Sequence, residues 1–248
     1  MSFRSIVAGM TLALATLGAG AAAPVQAAIL IDQSSPYAGY YVGAGGDWSN
    51  FTASLAAQPG GYTVGNIGDA AQVAAADAIV VVHRNPFLPG ASLSADEVAN
   101  LAGFLATGKR VLLIGEGNFW DAWNDSILSF ASGGTATHGT VVSGTTTPAV
   151  VNDLTDGVTS LLMQGVGTTV GGGGTALFGT NFATLWDENL LTVLDGQVFT
   201  QFGAPAFRDN VAAWLDESAA RVPEPASLAL LLAGVVGIGA KRRRKANA

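Results

Sequence analysis

Along the middle of the chain, short apolar runs alternate with amphipathic stretches, and both ends carry long apolar segments of a different kind. Residues 28–32 (Ala-Ile-Leu-Ile-Asp) read as a buried first strand ending in a carboxylate. A loop rich in Ser, Tyr and Gly follows over 33–46. Asp47 is then the expected N-cap of a helix to Gln58, with Trp48, Phe51 and Leu55 at i, i+3 and i+7 on its inner face. Pro59-Gly60-Gly61 ends that helix, Tyr62-Thr63-Val64 predicts a short strand, and 69–76 allows one or two helical turns. The β-branched run Ala78-Ile79-Val80-Val81-Val82 predicts a second fully buried strand. Ser94 followed by Glu97 forms a capping box for a helix through Val98, Leu101, Phe104 and Leu105, stopped at Gly108. Val111-Leu112-Leu113-Ile114 is the next buried strand, so the two strands of this βαβ unit should be parallel.

A helix is expected over 120–130, closed by Gly133-Gly134. Residues 135–147, rich in Thr, Gly and Ser, predict an exposed loop or edge strand, and 153–157 a turn. Residues 168–175 contain four consecutive glycines and predict a flexible loop. Runs 189–194 and 197–200 flank Asp195-Gly196, which predicts a hairpin. Val211, Trp214 and Leu215 mark the inner side of a closing helix over 208–218. The expected fold is a three-layer α/β domain with a mostly parallel sheet.

The two ends change the picture. Arg4 precedes an apolar stretch over 6–23, and Val25-Gln26-Ala27 offers the small residues a signal peptidase reads, so 1–27 is expected to be a cleaved signal peptide. That leaves 28–221 as an α/β cargo domain. At the other end Val222-Pro223-Glu224-Pro225 is followed by an uncharged run over 226–240 and then by Lys241, Arg242, Arg243, Arg244 and Lys245. As a helix that run spans about 22 Å against ~30 Å of hydrocarbon, short for a permanent anchor but sufficient for a transient one. The cation block should stay on the cytoplasmic side, which puts the cargo beyond the membrane. Pro223 and Pro225 deny the run a smooth helical lead-in and leave an extended segment.

This tail, 222–248, resembles the PEP-CTERM sorting signal of Gram-negative bacteria. The resemblance implies recognition by an exosortase, a membrane-embedded Cys-dependent transpeptidase that cuts near Pro-Glu-Pro and delivers the protein to the cell surface, often where exopolysaccharide is made. Expected partners are therefore signal peptidase, an exosortase-type transpeptidase, the membrane and exopolysaccharide. Residues 28–221 hold five cations against seventeen carboxylates, a balance that disfavours nucleic acid and anionic lipid. The chain has no cysteine, which excludes disulfides, thiolate metal sites and Cys nucleophiles.

The cargo also resembles class I glutamine amidotransferase-like, flavodoxin-like domains. The likeness is carried by strand 79–82, helix 94–106, strand 111–114 with Gly115-Glu116-Gly117, Trp123-Asn124, Ile127-Leu128 and the late Asp209-Asn210 and Ala213-Trp214-Leu215. Catalytic members place a Cys in the turn that here carries Glu116, so the resemblance implies the fold without that chemistry.

In a parallel sheet, sites form at the carboxyl ends of the strands. Asp32, His83 and Glu116 fall at three such ends, on strands that a flavodoxin-like order makes neighbours. Together they could run general acid–base chemistry or hold a divalent metal, with Arg84 orienting an anionic substrate; ordinary solvated strand ends are the alternative. Tyr37, Tyr40, Tyr41 and Trp48 could stack on sugar rings or simply pack. Gly171 to Ala176 fits G-x-G-x-x-A without the flanking strand and helix, and Ser143 and His138 lack a nucleophile-elbow context, so no cofactor is expected. Two readings follow: a non-catalytic surface protein acting in surface structure or carbohydrate interaction, or a surface hydrolase using Asp32, His83 and Glu116.

Overall fold

The computed structural model describes residues 28–43, 45–88, 91–200 and 204–221. The expected signal peptide and the sorting tail with its apolar run lie outside the described residues. Among the described residues, no helix is long and apolar enough to cross a membrane.

A seven-stranded sheet forms the middle layer. Strands β1 (Ile29–Asp32), β3 (Ala78–Val81) and β4 (Arg110–Ile114) are buried at every position, as their unbroken apolar runs require. With β2 (Tyr62–Gly65), β9 (Thr175–Ala176), β10 (Ala183–Trp186) and β11 (Leu190–Val193), the order is β2-β1-β3-β4-β11-β10-β9. The first five strands in that order pair in parallel, and β10 and β9 are added antiparallel at one edge.

Alternate residues of each strand point into opposite cores. Ile29, Ile31, Val80, Leu112 and Leu191 meet helices α1 (Ser49–Ala56) and α5 (Pro205–Arg221) through Phe51, Leu55, Phe207, Val211 and Leu215. Leu30, Ile79, Val81, Val111 and Leu113 meet α2 (Ala70–Ala75), α3 (Ala95–Leu105) and α4 (Asp121–Ser132) through Val73, Leu101, Phe104, Trp123 and Ile127. Each such large side chain, fully buried, stabilises the fold by about 1.5–3 kcal/mol. The expected capping box is formed in full: Ser94 Oγ accepts from Glu97 N, and Glu97 Oε2 accepts from Ser94 N at 2.7 Å.

Two local expectations are corrected. Asp47 does not cap α1; Trp48 holds the N-cap position. Asp47 is held instead in the preceding loop, where its N–H donates to Gly39 O at 2.8 Å. Asp195-Gly196 makes no hairpin. The hairpin lies one turn earlier, between β10 and β11, with Asp187 at φ 52°. β11 is buried between β4 and β10, so the chain leaves the sheet after it, and Asp195 caps a 3-10 turn over Gly196–Phe199 by accepting from Gln197 N at 2.9 Å. The glycine run over 171–174 turns the chain between β8 (Thr169–Gly171) and β9, with positive φ at Gly171, Gly172 and Gly173.

Two antiparallel ribbons complete the chain. β5 (Ala136–His138) pairs with β8, and β6 (Val142–Thr146) with β7 (Leu161–Val166). β7 alternates Leu161 and Met163 inward with Leu162 and Gln164 outward, the period of two that a half-buried strand needs.

One charge cluster lies inside the fold. Arg84 is buried, and its guanidinium reaches Glu97 Oε1 at 2.6 Å, Asp32 Oδ2 at 3.4 Å and Ser92 O at 2.9 Å while lying 5.1 Å from the Trp123 ring centre. Replacing Arg84 by Met would leave two carboxylates without their counter-charge. The expected loss is about 3–5 kcal/mol of unfolding free energy in urea titration, and a loss under about 1 kcal/mol would show the cluster to be dispensable.

Candidate functional site

The three predicted site residues stand at the carboxyl ends of adjacent strands, but only two of them converge. Asp32 is taken by the Arg84 cluster on the α3 side. Burial raises its carboxyl above the ordinary range, and Arg84 at 3.4 Å opposes this only in part. Burial also acts on Glu97, but the hydrogen bonds from Arg84 and Ser94 outweigh it and hold that carboxyl low. The difference between the two partners follows from distance, since Arg84 is closer to Glu97 and grips both its oxygens.

His83 is fully buried among aromatic rings, with Tyr40, Trp48 and Trp120 at 5.4, 5.6 and 5.4 Å between centroids. Burial alone pushes its imidazole down to about 3, so it is neutral at physiological pH.

Glu116 sits in the tight turn after β4. Asn124 of α4 clamps that turn, accepting from Glu116 N at 3.2 Å and donating to Glu116 O at 2.6 Å. The carboxyl accepts Gly117 N on Oε1 at 2.8 Å and Gly196 N on Oε2 at 3.1 Å. Gly196 marks the point of convergence: a Cβ there would meet Glu116 Oε2, His83 Cε1 and Trp48 Cζ2, each at 3.0 Å. Burial, and then the like charge of Asp195, push Glu116 up to about 8; burial pushes Asp195 up to about 7. The site is therefore a Glu116–Asp195 acid pair backed by His83, in place of the expected Asp32–His83–Glu116 set. Among the described residues, no group of three His, Cys, Asp or Glu is placed to hold a metal ion.

Glu116 also opens onto a cleft of 260 Å³ lined by Tyr37, Tyr40, Phe87, Asn118, Phe119, Trp120, Gln164 and Gln197. Phe87 and Phe119 are 66% and 73% exposed with ring centres 6.2 Å apart, and Tyr37 lies 6.0 Å from Phe87. Phe119 adopts φ 71°, a strained conformation for a bulky residue, and it projects the ring out of the turn. A second cavity of 410 Å³, with Asp47, Ser49 and Thr200 in its walls, shares Tyr40, Gln164 and Gln197 with the first. β7 forms one wall. Its backbone comes so close that a Cβ on Gly117 would lie 1.5 Å from Gly165 O, so only glycine fits there.

Of the four aromatic residues singled out in the sequence, Tyr37 and Tyr40 line the cleft and Trp48 is buried. Sequence reasoning missed Asp195, Phe87, Asn118, Phe119, Gln164 and Gln197. Asp195 was legible only as a turn residue; Gln164 comes from β7, Gln197 from the 3-10 turn and the others from loops that the tertiary fold gathers.

Residues 221–245 match the PEP-CTERM protein-sorting motif, which implies export and sorting to the cell surface by an exosortase. No curated protein matches the sequence. Among solved structures, the chain is similar to the mmIFT52 N-terminal domain, at 12% identity and a TM-score of 0.56, over 76% of this chain and 97% of that one. It is also similar to the cold-adapted beta-galactosidase from Rahnella sp. R3, at 14% identity and a TM-score of 0.50, over 78% of this chain and 31% of that one. At such identities both are likenesses of fold. The amidotransferase-like resemblance finds no support in these comparisons.

The buried acids set the pH dependence of stability. Glu116 and Asp195 hold protons in the folded state that the unfolded chain releases above 4.5 and 3.8, so their contribution falls as pH rises toward about 8 and about 7. His83 acts in the opposite sense, adding stability as pH rises from about 3 to 6.5. Two carboxyls outweigh one imidazole, so the melting temperature should fall between about pH 5 and pH 8. The variant Glu116→Gln should flatten that fall; an unchanged slope in calorimetry would show that Glu116 ionises normally.

Proposed function

We propose that this surface-sorted chain is a carbohydrate-interacting protein whose α/β domain binds glycan in the cleft at the carboxyl ends of its parallel strands. The observation that carries the reading is the exposed pair Phe87 and Phe119 beside Tyr37, which flank a cleft whose other walls carry the amides of Asn118, Gln164 and Gln197. Aromatic faces stack on the apolar faces of sugar rings, and amides donate to and accept from hydroxyls. Residues 1–27 serve as the cleaved signal peptide, 28–221 as the cargo, and 222–248 as a transient membrane handle cut by the exosortase near Pro223-Glu224-Pro225. Exopolysaccharide at the surface is the natural partner of such a cargo. The strand order β2-β1-β3-β4 supports the amidotransferase-like, flavodoxin-like resemblance for the cargo, from which Glu116 in the turn after β4 departs. Without cysteine, the domain does not run that family's nucleophilic chemistry.

A second reading, a surface hydrolase, is favoured by one observation. Glu116 is an acid pushed up to about 8 beside a cleft, as a general acid would be. Asp32 has no part in it, being held by Arg84.

Two measurements test these statements. Deleting Pro223-Glu224-Pro225 should abolish surface display and leave the C-terminal mass of the exported protein unprocessed; unchanged display and mass would refute the sorting assignment. The double variant Phe87→Ala, Phe119→Ala should weaken retention on neutral polysaccharide in affinity electrophoresis by about tenfold or more, with little change in melting temperature because both rings are exposed. Retention equal to wild type would remove the cleft from consideration.

A further inference from the structure

Four buried polar atoms near Gly196 lack a protein partner: Trp48 Nε1, Nδ1 and Nε2 of His83, and Asp195 Oδ2. An unmade hydrogen bond at such a buried group is costly, and protein interiors fill such places, where there is room, with ordered water that makes two to four hydrogen bonds. The set includes an indole N–H, which only donates, an imidazole that donates and accepts, and a carboxyl oxygen. That mixture suits water, whereas a metal ion cannot be held by an N–H donor.

Glu116 touches both this buried group of atoms and the cleft. Its Oε2 faces Gly196 beside His83 and Trp48, and the residue also lines the cleft with Tyr37, Asn118 and Phe119. Asp195 and the neutral His83 face it from the ends of β11 and β3, and Tyr40 from the loop after β1. Asp47 and Tyr37 act on that same Tyr40 hydroxyl. The charge acting on Glu116 is the like charge of Asp195. Each carboxyl oxygen accepts one backbone N–H, which fixes the group in the cleft wall, and burial beside a second buried acid, Asp195, favours its protonated form.

We propose that Glu116 presents a neutral carboxylic acid to the cleft and donates its proton in a hydrogen bond to an oxygen of an uncharged saccharide. The saccharide part rests on the carbohydrate reading of the cleft given above. A carboxylate would only accept hydrogen bonds; a carboxylic acid recognises hydroxyl, ether and carbonyl oxygens as acceptors. The excess of acidic residues on the cargo repels polyanions, so the ligand is a neutral glycan rather than a polyuronate.

The test uses the exported protein in two assays, one spectroscopic and one of binding. The infrared difference spectrum between wild type and Glu116→Gln at pH 6 should contain a protonated-carboxyl C=O band that fades above about pH 8. Absence of that band at pH 6 overturns the proposal and leaves the cleft reading standing. On an array of neutral cello-, xylo- and manno-oligosaccharides with polyuronates for comparison, wild-type binding should fall by about tenfold between pH 6 and pH 9. Glu116→Gln, which keeps an N–H donor, should bind within about threefold of wild type at pH 6 and lose the pH dependence, while Glu116→Ala should lose about tenfold or more. If the Gln variant binds as poorly as the Ala variant at pH 6, Glu116 accepts rather than donates, and the proposal fails. If the band is present but no neutral glycan binds, the cleft reading fails with the saccharide part, and the neutral acid remains.

Discussion

The guanidinium of Arg84 determines which acids reach the site. Burying a cation inside an α/β sandwich is tolerated only if carboxylates meet it closely, and here Asp32 at the end of β1 and Glu97 in the first turn of α3 both do so. The pairing ties the end of β1 to the first turn of α3. It also joins the capping box to the ion cluster, because Glu97 serves both Ser94 and Arg84. With Asp32 neutralised in this way, the open carboxyl at the strand ends is Glu116. Its neighbour is another acid, and that fact sets the chemistry of the cleft.

Around Glu116 the fold relies on close approach. Gly117 lets the β7 backbone pass directly over the turn, and Gly196 lets Trp48, His83 and Glu116 meet at one point. Neither contact leaves space for a side chain, so the ribbon β6–β7 and the 3-10 turn after β11 are fixed against the sheet edge by geometry as well as by apolar burial. This brings Gln164 and Gln197 into the same cleft as Phe119, residues far apart in the chain. The cleft is thus a composite of four loops and one strand, and its aromatic wall stands exposed because the turn after β4 holds Phe119 at positive φ.

The matched motif at 221–245 and the proposed cargo role fit together physically. A domain displayed outside the membrane, without cysteine, must be stable through core packing alone, and two separate apolar cores on either face of the sheet provide it. Its few cations between 84 and 208 are spent on internal or local ion pairs with Asp32, Glu97, Asp77, Glu217 and Asp209, which leaves a surface dominated by acids. Such a surface stays soluble and avoids anionic polymers, a property suited to neutral partners.

The sequence by itself determined the elements whose pattern is local. Unbroken apolar runs made β1, β3 and β4, Ser94 and Glu97 made the start of α3, and Val222 to Lys245 carried the sorting signal, since motif, apolar run and cations are read in linear order. It also placed Asp32, His83 and Glu116 at strand ends, because strand polarity follows from the βαβ pattern. Tertiary structure decided which of them act together. The direction of a strand-end side chain depends on what packs against it, so Arg84 removed Asp32 and aromatic rings enclosed His83. The turn at Asp195, read locally as a hairpin, became an acid beside Glu116 because β11 is central in the sheet and the chain must leave it there. Hydrophobic periodicity carries no information about such long-range meetings, and the cleft is made of them.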